Sequence, residues 1–566
     1  MRNFFGRFAK TENELLEIPA APEIANLCCS VLFYGHIANR TDLLREFRVT
    51  AAAGDADLIA WAYRRYGSAF PTHVFGEYAA TVVDHIDKSI LLTHDALGIV
   101  DIFYVDGDQE LAFGTDLVTL VGYKGVGALD ENYIAEFLPN IFNHGERTPY
   151  LSVRRVRQGR GMLFKNGKAR EVVVHDPRSS PQLSIADSAA YEERLRELMT
   201  EAVSAAIPAE GKVWCELSGG LDSSTIVSIA ARVLKADIET FSFVFSKSQR
   251  SDETAWINVV LDEYPLRSHV LDADATPPFS DIPACFHSEP NAQFLVSGLD
   301  RTRRSILDQH DVRTVITGMC GDALFLGDSP EPFYLADTLG PRAALRELTL
   351  WEKGSGLKRS RGYWFQRYMV EPRLDRLTRH RRRTPPPSWV AAEYHERWKS
   401  VGGYRRNLSG LSIGDTYFWD RIRGGALLVR KGQQPTPGGC EYRNPWLYLP
   451  LVEFMASVPW HEKLRPDQDR SLQRRALRDI LPERTRLRTD KGNPTQAFLN
   501  GFSSSQQWDD LLITRPAIVE RGYVDGAAWR DAVVLARHGH CPSYSAFISA
   551  CALELWLRNL NLFPHF

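Results

Sequence analysis

Two stretches of this sequence have the residue types and spacing for chemistry on phosphates. The first is Ser218-Gly219-Gly220-Leu221-Asp222-Ser223-Ser224, which lies between an apolar run at 213–217 and a mainly apolar, breaker-free run at 225–234. A strand that enters a Gly-Gly turn and then a helix makes an anion cradle, because the first amides of the helix have no internal partner. The serines add hydroxyl donors, and Asp222 is placed to hold a magnesium ion against the phosphates.

The second stretch is Thr317-Gly318-Met319-Cys320-Gly321-Asp322, which follows a strand-like run at 314–316. Its glycine turn ends in a carboxylate, and we expect Asp322 to face Asp222 from another strand end. Two carboxylates on neighbouring strand ends can share one hard cation and leave coordination sites for phosphate oxygens. The alternative role for Asp322 is a helix N-cap, and the alternative for the first stretch is an ordinary capped connection.

These stretches need an alternating strand and helix framework to position them. Residues 240–245 are predicted to form the next parallel strand, one helix after the first, and Ser251-Asp252-Glu253 opens another helix with an acidic first turn. Alternation of this kind is typical of a doubly wound α/β sheet, which binds ligands at the carboxyl ends of its strands. The last third of the chain is predicted to be helical.

The first 125 residues have a different pattern. Strands are predicted at 29–34, 78–84, 89–94, 102–105 and 111–115, with a helix at 57–65. Paired strands with few helices between them favour an α+β or sandwich-like layer. Residues 126–210 are predicted to connect the domains, with a break at 177–181 and a helix at 189–206. We assign residues 1–185 to one domain and 186–566 to another.

Composition restricts the class of protein. The chain has 566 residues, a formal net charge of -2 and eight scattered cysteines without a C-x-x-C pair. The near-neutral charge argues against bulk capture of nucleic acid, and no apolar run is long enough to span a membrane. Without a secretory signal or a zinc motif, we expect a cytoplasmic protein with free thiols. The basic run at 376–383 is interpreted as a solvated loop, or alternatively as a surface that steers an acidic peptide.

The quoted motifs carry a family resemblance. Ser-Gly-Gly-Leu-Asp-Ser-Ser at 218–224 resembles the pyrophosphate loop of ATP pyrophosphatases, whereas the G-x-x-x-x-G-K-[ST] loop and its lysine are absent. Segments 35–40, 94–99 and 113–117 resemble the amidotransferase domain of asparagine synthetases, and 439–446 and 481–492 resemble late segments of their synthetase domain. The chain is identified as a member of the asparagine synthetase superfamily. The resemblance implies an α+β, Ntn-like first domain and an α/β synthetase domain of the ATP-pyrophosphatase type with a helical C-terminal part.

The resemblance also implies a set of site residues. ATP and Mg2+ are the expected cofactors, with Asp222 and Asp322 as metal ligands. Glu441 corresponds to a glutamate that helps to deprotonate an attacking amine, and Lys491 to a lysine that balances charge on the adenylate. The alternatives are an ion pair between Glu441 and Arg443, and a solvated loop lysine. The expected nucleotide-binding residues are Leu217, Ser218, Gly219, Gly220, Leu221, Asp222, Ser223, Ser224, Phe243, Thr317 and Gly318.

Two departures from the family pattern point to a branch. Arg2 stands where glutamine-dependent members have their cysteine nucleophile, so we expect no glutaminase activity and a first domain that serves as a scaffold or peptide-binding surface. Met319 replaces the tyrosine of β-lactam synthetases. Together these favour a lasso peptide cyclase, which adenylates an Asp or Glu side chain of a precursor peptide and closes a macrolactam with the N-terminal amine. The implied partners are the linear core peptide, a leader peptidase and a leader-binding protein, without nucleic acid.

Three other functions remain open at this point. An ammonia-dependent asparagine synthetase would use free aspartate and ammonium. A β-lactam synthetase would accept a small N-carboxyalkyl amino acid. A non-catalytic scaffold would bind a peptide without releasing AMP, although the presence of both Asp222 and Asp322 speaks against it.

Overall fold

The computed structural model describes most of the chain. The described residues are 3–10, 14–17, 29–125, 127–139, 145–177, 183, 187–327, 341–354, 360–371, 374, 385–401, 411–432, 440–466, 468–490, 492 and 494–562. Arg2, Lys491, the basic run at 376–383 and most of the predicted break at 177–181 lie outside these residues. Among the described residues, no helix combines the length and the apolar character needed to cross a membrane.

Two antiparallel sheets of five strands each form the first domain. One sheet has the order β2-β1-β7-β6-β8 and the other β10-β9-β5-β4-β3. The strands are β1 (Phe5–Ala9), β2 (Glu14–Glu17), β3 (Cys29–Ile37), β4 (Gly76–Asp84), β5 (Ser89–His94), β6 (Phe103–Asp106), β7 (Glu110–Gly114), β8 (Arg154–Arg155), β9 (Arg160–Lys165) and β10 (Lys168–Val173).

The two sheets pack face to face and carry helices on their outer faces. Leu32, Ile90 and Phe113 belong to the apolar layer between the sheets. Helix α2 packs on the outer face of β3 and β4 through Leu58 and Ile59. The result is a four-layer helix–sheet–sheet–helix domain, in which each sheet buries both faces. The helices of this domain are α1 (Arg40–Phe47), α2 (Asp55–Tyr66), α3 (Leu117–Lys124) and α4 (Glu131–Phe137).

The structure confirms the predicted hairpins and corrects the predicted connection. Strands β4 and β5 pair in register from Asp84–Ser89 onward, and the Asp84 carboxylate accepts hydrogen bonds from the Ile86 and Asp87 amides of the turn. The prediction that residues 126–210 merely connect the domains was wrong. Strands β8, β9 and β10 belong to the two sheets of the first domain, and β9 pairs with the central strand β5.

The second domain is built on an all-parallel sheet with the order β13-β12-β11-β14-β15. Its strands are β11 (Lys212–Glu216), β12 (Glu239–Val244), β13 (Ser268–Asp272), β14 (Val312–Ile316) and β15 (Glu441–Arg443). The chain runs outward from β11 through β12 to β13, and then returns to place β14 on the other side of β11. The gap between the loops after β11 and β14 is therefore the topological switch point, where ligands bind in sheets of this kind.

Helices cover both faces of this sheet and form the C-terminal part, as predicted. The predicted helix at 189–206 is α5, and the helix after the Ser-Gly-Gly loop is α6, which continues into a π-helical turn at Ile229–Val233. Helices α5 to α11 are Ser188–Ala206, Leu221–Ser228, Thr254–Glu263, Ser297–Gln309, Gly321–Phe325, Pro341–Gly354 and Arg361–Phe365. Helices α12 to α21 are Ala392–Ser400, Ile413–Gly432, Leu449–Ser457, Trp460–Lys463, Ser471–Ala476, Glu483–Leu487, Pro494–Ser504, Ala517–Glu520, Gly526–Arg537 and Tyr544–Asn559.

The two domains share their apolar cores. Leu97 and Ile99 of the first domain pack in one cluster with Val213 and Trp446 of the second. A buried ion network crosses the same boundary: Arg155, with 1% of its side chain exposed, contacts Asp101 at 2.8 Å and Glu289 at 2.7 Å. Arg430 contacts Asp101 from the second domain at 2.9 Å. The boundary is thus an extensive, partly apolar interface.

Candidate active site

The Ser-Gly-Gly loop after β11 holds itself in shape through its own hydroxyls. The Ser223 hydroxyl accepts a hydrogen bond from the Ser218 amide at 3.1 Å and lies 3.0 Å from the Ser218 hydroxyl. Gly219 has φ +70, and a Cβ there would lie 2.6 Å from Cβ of Trp256. Only glycine fits this backbone and this space. Gly220 is the N-cap of α6, so the free amides of the first helical turn open toward the strand ends.

The loop after β14 packs directly against the start of α6. A Cβ on Gly318 would lie 2.8 Å from the Ser223 amide nitrogen, and a Cβ on Gly321 would lie 2.1 Å from the Asp222 carboxyl carbon. Both positions therefore require glycine. The flanking residues Cys320 and Leu326 adopt left-handed φ values of 71° and 63°. Backbone strain of this kind persists only where the surrounding structure holds it. Here the two left-handed residues set the position of Asp322 between them.

A cavity of about 520 Å³ opens at the switch point between these loops. Part of its lining is apolar and comprises Leu217, Phe241, Phe243, Phe245 and Leu299. Another part is charged and polar, with Ser218, Ser223, Asp222, Asp322, Glu253, Asp469, Arg470, Arg474 and Arg488. An apolar wall for a planar base beside a wall of donors and cations is the arrangement that a nucleoside triphosphate needs.

Arg470 lies between the two predicted metal-binding carboxylates. Its Nη1 donates to both Asp222 oxygens at 2.9 Å, and its Nη2 contacts Oδ1 of Asp322. Gln473 Nε2 adds a 3.3 Å hydrogen bond to Asp222. The arginine is 5% exposed and has a left-handed φ of 51°. One guanidinium therefore joins the two aspartates, which brings together the carboxylates that the sequence pattern paired.

The donor set at this point fits magnesium. Asp222 and Asp322 supply hard oxygen ligands within reach of one cation, and Mg2+ in nucleotide sites takes one or two carboxylates with phosphate oxygens and water as the rest. Within the described ranges, no cluster of three or more acidic, histidine or cysteine side chains is arranged to hold a metal by itself. A metal here would thus be held jointly by the two aspartates and the nucleotide.

Arg488 joins the Ser-Gly-Gly loop to the start of α7. Its Nη1 donates to the Gly219 carbonyl oxygen at 3.0 Å and its Nη2 to Glu253 Oε1 at 2.5 Å. Its guanidinium lies 4.7 Å from the centre of the Trp256 ring. The Gly492 amide also donates to Glu253, at 3.3 Å. The segment around the predicted Lys491 is thereby attached beside the phosphate loop.

Glu441 lies in β15 at the boundary with the first domain and is not among the residues that line the cavity. Its carboxylate contacts His36 Nδ1 at 3.2 Å and accepts from Arg443 Nε at 3.0 Å. Although burial opposes the charged form, the hydrogen bond with His36 and the charge of Arg443 lower the pKa of Glu441 to about 2. These contacts are those of the ion-pair alternative, extended to the first domain, and the role of Glu441 as a base stays a prediction.

A second carboxylate, Glu77, reinforces the same boundary. Its oxygens accept hydrogen bonds from the Asn444 amide at 2.7 Å and from Asn444 Nδ2 at 2.9 Å. The cavity left beside His36 and Glu77 measures only about 20 Å³. That volume holds about one water molecule, for which roughly 10–15 Å³ is needed.

The structure brings together most of the residues that the sequence predicted for nucleotide and metal. Gly219 and Ser224 are exceptions, because neither lines the cavity: Gly219 packs on Trp256, and Ser224 is fully buried behind the loop. Lys491 lies outside the described residues. The predicted residues that line the cavity are Leu217, Ser218, Gly220, Leu221, Asp222, Ser223, Phe243, Thr317, Gly318 and Asp322.

Sequence reasoning missed the arginines. Arg470 and Arg474 come from an arginine-rich stretch at 470–478 that reads as a solvated helix, and Arg488 was noticed only as part of a family segment. In the structure Arg474 is held by Asp469 through a 2.8 Å contact, with 5% of its side chain exposed. The available signal was the four arginines within residues 470–478, flanked by Asp469 and Asp479, which the hydrophobic pattern does not explain.

Glu216 lines the cavity at the end of β11. Desolvation raises the pKa of Glu216, while the guanidinium of Arg303, 3.8 Å away, and a hydrogen bond with Thr317 act in the opposite direction. Arg303 itself stacks over the ring of Tyr442 at 4.9 Å. The end of β11 therefore carries a carboxyl group whose charged form is only partly stabilised by Arg303 and Thr317.

Comparison with known proteins agrees with this geometry. The sequence model described as asparagine synthase matches residues 194–558, and the one described as a glutamine amidotransferase domain matches residues 23–174. The glutamine-hydrolyzing asparagine synthetase 3 of Bacillus subtilis (strain 168) is 23% identical over 488 residues, which are 80% of this chain and 73% of that protein.

Two further comparisons cover a smaller share of this chain. Amidase chyE of Penicillium rubens is 23% identical over 323 residues, which are 52% of this chain but only 46% of that protein. Among solved structures, the glutamine phosphoribosylpyrophosphate amidotransferase from B. subtilis is 11% identical over 46% of this chain and 63% of its own, with a TM-score of 0.20. A likeness this slight carries no argument.

Proposed function

This chain belongs to the asparagine synthase family of ATP-dependent ligases, and we propose that it is a macrolactam synthetase of the lasso peptide cyclase type. ATP activates an Asp or Glu side-chain carboxylate of a linear precursor peptide. The N-terminal amine of the same peptide then closes the ring. A leader peptidase and a leader-binding protein would supply the peptide with a free amine.

One observation carries the ATP-dependent part of the proposal. Asp222 and Asp322 come from the ends of neighbouring parallel strands, and both contact a single cationic group above the Ser-Gly-Gly loop. The loop offers free helix amides to phosphate, and the apolar wall with Phe243 suits a base. Magnesium, when bound by these aspartates, would neutralise phosphate charge and favour departure of pyrophosphate.

The proposed chemistry balances in two steps. A carboxylate oxygen of the peptide bonds to the α-phosphorus of ATP, the bond to the β-phosphate bridge breaks, and pyrophosphate leaves. The amine nitrogen then bonds to the acyl carbon, the bond between that carbon and the AMP oxygen breaks, and the amine's proton passes to the departing AMP. Phe241, Phe243 and Phe245 on the cavity wall limit the access of water, which would otherwise hydrolyse the adenylate.

The residues at the cavity mouth support a carboxylate within a peptide over free aspartate. Met319 lines the cavity and is 39% exposed, whereas Ala323 of the short helix α9 packs against the apolar core and is not among the lining residues. Neither can pair with the charged α-amino group of a free amino acid. When the Asp or Glu lies within a peptide, its α-amino and α-carboxyl groups are both amides. They carry no charge, so this part of the cavity needs no charged partner for them.

The contacts at the domain boundary favour a substrate amine that enters from solvent over ammonia that is made in the first domain. Ammonia made in an amidotransferase domain must pass through the boundary to the synthetase site. Here the contact between His36 and Glu441 and the hydrogen bonds between Glu77 and Asn444 join the two domains at β15. The cavity beside His36 and Glu77 has a volume of about 20 Å³, which is far too small for a peptide terminus. The amine would therefore enter through the cavity mouth beside Met319.

The test is a peptide cyclisation assay. Purified full-length protein is incubated with ATP, Mg2+ and synthetic peptides that have a free N-terminal amine and one Asp or Glu at varied positions. Mass spectrometry should find loss of one water from a peptide, with AMP and pyrophosphate released in equal amounts. Asp222→Asn should abolish both signals, because the phosphate site loses a carboxylate that contacts its cation.

Asp311→Asn is the matched control. Asp311 precedes β14 at the opposite end of the sheet, is 78% exposed at its side chain and pairs with Arg313, so the variant should react at the normal rate. Conversion of free aspartate and ammonium to asparagine would replace the proposal by an asparagine synthetase. Conversion of an N-carboxyalkyl amino acid would indicate a β-lactam synthetase, and failure to release AMP with any substrate would indicate a scaffold.

A further inference from the structure

We propose that Arg470 exchanges partners when MgATP binds. Without MgATP it pairs with Asp222 and Asp322. When the metal binds these carboxylates, Arg470 moves and pairs with the pyrophosphate end of the nucleotide. This inference rests on the ATP-dependent part of the proposed function. It adds a phosphate-binding residue to the site and assigns the same residue the role of a counter-ion in the resting state.

The first observation is that the resting position of Arg470 is built into the fold. Its guanidinium joins the two carboxylates and is 5% exposed. A Cβ on Gly327 would lie only 2.0 Å from Arg470 Nε, so a glycine leaves the room that the guanidinium occupies. The arginine also has a left-handed φ of 51°, a conformation that is unfavourable for a non-glycine residue. The fold thus holds Arg470 in this position although its backbone conformation is unfavourable.

The second observation is that arginine and metal compete for the same oxygens. Both Asp222 oxygens accept from Arg470 Nη1 at 2.9 Å, and Asp322 contacts Nη2. Magnesium requires its oxygen ligands at about 2.0–2.1 Å, which a guanidinium between the same carboxylates prevents. Two cations side by side would also repel each other. Direct binding of the metal by both aspartates therefore requires that Arg470 move.

The third observation is that the displaced guanidinium has a destination in the same cavity. Arg470, Arg474 and Arg488 all line it. Arg474 is committed to Asp469, and Arg488 to Glu253 and Gly219. Only Arg470, of these three, has the metal-binding carboxylates as its partners. A forked guanidinium binds phosphate oxygens in pairs, so Arg470 can compensate the charge of the leaving pyrophosphate.

The test uses nucleotide-free protein and Mn2+ as a spectroscopic substitute for Mg2+. Arg470→Gln removes the internal cation and leaves two carboxylates to repel each other. Electron paramagnetic resonance should show Mn2+ bound at least ten-fold more tightly by R470Q than by the wild type. Mg-pyrophosphate, followed by calorimetry, should bind at least ten-fold more weakly to R470Q. A purely structural arginine would not move the two affinities in opposite directions.

Two further variants control for misfolding. Arg475→Gln removes an arginine of α16 that pairs with Glu192 at 2.7 Å and Glu462 at 2.6 Å, so it should lower thermal stability and leave both affinities unchanged. Arg470→Lys keeps the charge but cannot fork across two carboxylates. It should fold and bind Mn2+ more tightly than the wild type, by at least three-fold, and it carries the test if R470Q does not fold.

The outcomes separate this inference from the proposed function. Equal Mn2+ affinity in wild type and Arg470 variants overturns the exchange, even if the wild type cyclises peptides. Unchanged pyrophosphate affinity overturns the second half of the exchange. Tighter Mn2+ binding and weaker pyrophosphate binding support it, even if no peptide is cyclised, in which case only the proposed function fails.

Discussion

Arg488 donates a 3.0 Å hydrogen bond to the carbonyl oxygen of Gly219, and so fixes the apex of the phosphate loop from a segment far along the chain. The same guanidinium pairs with Glu253, and both contacts are largely shielded from solvent because the Arg488 side chain is 6% exposed. The loop is therefore held by a charged contact as well as by its own hydroxyls. This arrangement makes the stability of the loop depend on a residue outside the motif.

Arg488→Ala should destabilise the protein and weaken ATP binding. The change leaves the Glu253 carboxylate and the Gly219 carbonyl without their shared donor, which costs about 2–3 kcal/mol in unfolding free energy. Urea denaturation and ATP titration measure the two effects. Arg484→Ala is the control, because Arg484 lies over the same Trp256 ring at 5.8 Å, a contact worth below about 1 kcal/mol. Equal effects of the two variants would contradict this role of Arg488.

Neighbouring glycines of the loop should fail in different ways. Gly219→Ala places a Cβ against Trp256 in a left-handed backbone, so we expect a loss of about 2 kcal/mol or more in stability. Gly220 has an ordinary φ of -72°, and a Cβ there meets only the Ser218 hydroxyl at 3.2 Å. Gly220→Ala should keep its stability but lose ATP affinity, because the methyl group enters the cavity. Thermal unfolding and nucleotide binding of the pair decide between these outcomes.

Glu441 should contribute to stability in a defined pH window. Its folded pKa is lowered from 4.5 to about 2, so the folded state prefers the charged form. The contribution is fully present above about pH 5 and is lost as pH falls from 4.5 through 2. Glu441→Gln should cost roughly 2 kcal/mol at pH 6 and progressively less toward pH 2. Glu197→Gln, at an exposed pair with Arg194, is the control and should show little effect at either pH.

Lys463 should also make stability rise with pH, but in a higher range and because its charged form is disfavoured in the folded state. It is 1% exposed, lies 4.4 Å from the Trp460 ring centre and donates to the Met455 carbonyl at 2.9 Å. Burial lowers the pKa of Lys463 from 10.5 to about 7. The unfolded state therefore binds the proton more readily between pH 7 and 10.5, and the stability of the wild type rises with pH across that range.

Lys463→Met should accordingly stabilise the protein at pH 6, by about 2 kcal/mol, and lose this advantage as pH approaches 10. Denaturant unfolding at several pH values measures the difference from the wild type. Lys399→Met removes a lysine that is 59% exposed at its side chain and should show no such trend. A pH-independent difference for Lys463→Met would mean that packing, and not charge, sets the effect.

Much of the fold follows from local sequence. Two mainly apolar runs joined by a polar turn predicted the hairpin of β4 and β5, and the run at 240–245 predicted β12, which pairs in parallel with β11. Strand β13 was missed, because its central residue Val270 is 57% exposed and the segment lacks a strong apolar pattern. Strand β15 spans only Glu441–Arg443, too short for any periodicity to be seen. Both are edge strands, and the one described partner of each is set by tertiary contacts.

Those parts of the candidate site whose residues lie within one loop could be predicted from the sequence. The Ser-Gly-Gly motif and Asp322 each follow a strand, and parallel strands bring their carboxyl ends together. Arg470 was not predictable, because its contact with Asp222 joins residues far apart in sequence and depends on the path of the C-terminal helices. The predicted role of Glu441 as a base came from correspondence alone, which is blind to its contact with His36.

The shared interior of the two domains has a consequence for how the chain can be divided. Strand β15 is the edge of the parallel sheet, and the first domain contacts it through His36 and, next to it, through Glu77 to Asn444. Removing residues 1–185 would strip Leu97 and Ile99 from their cluster and leave an open strand edge, a surface that invites self-association. We therefore expect the second domain alone to be less stable and more prone to self-association than the full-length chain.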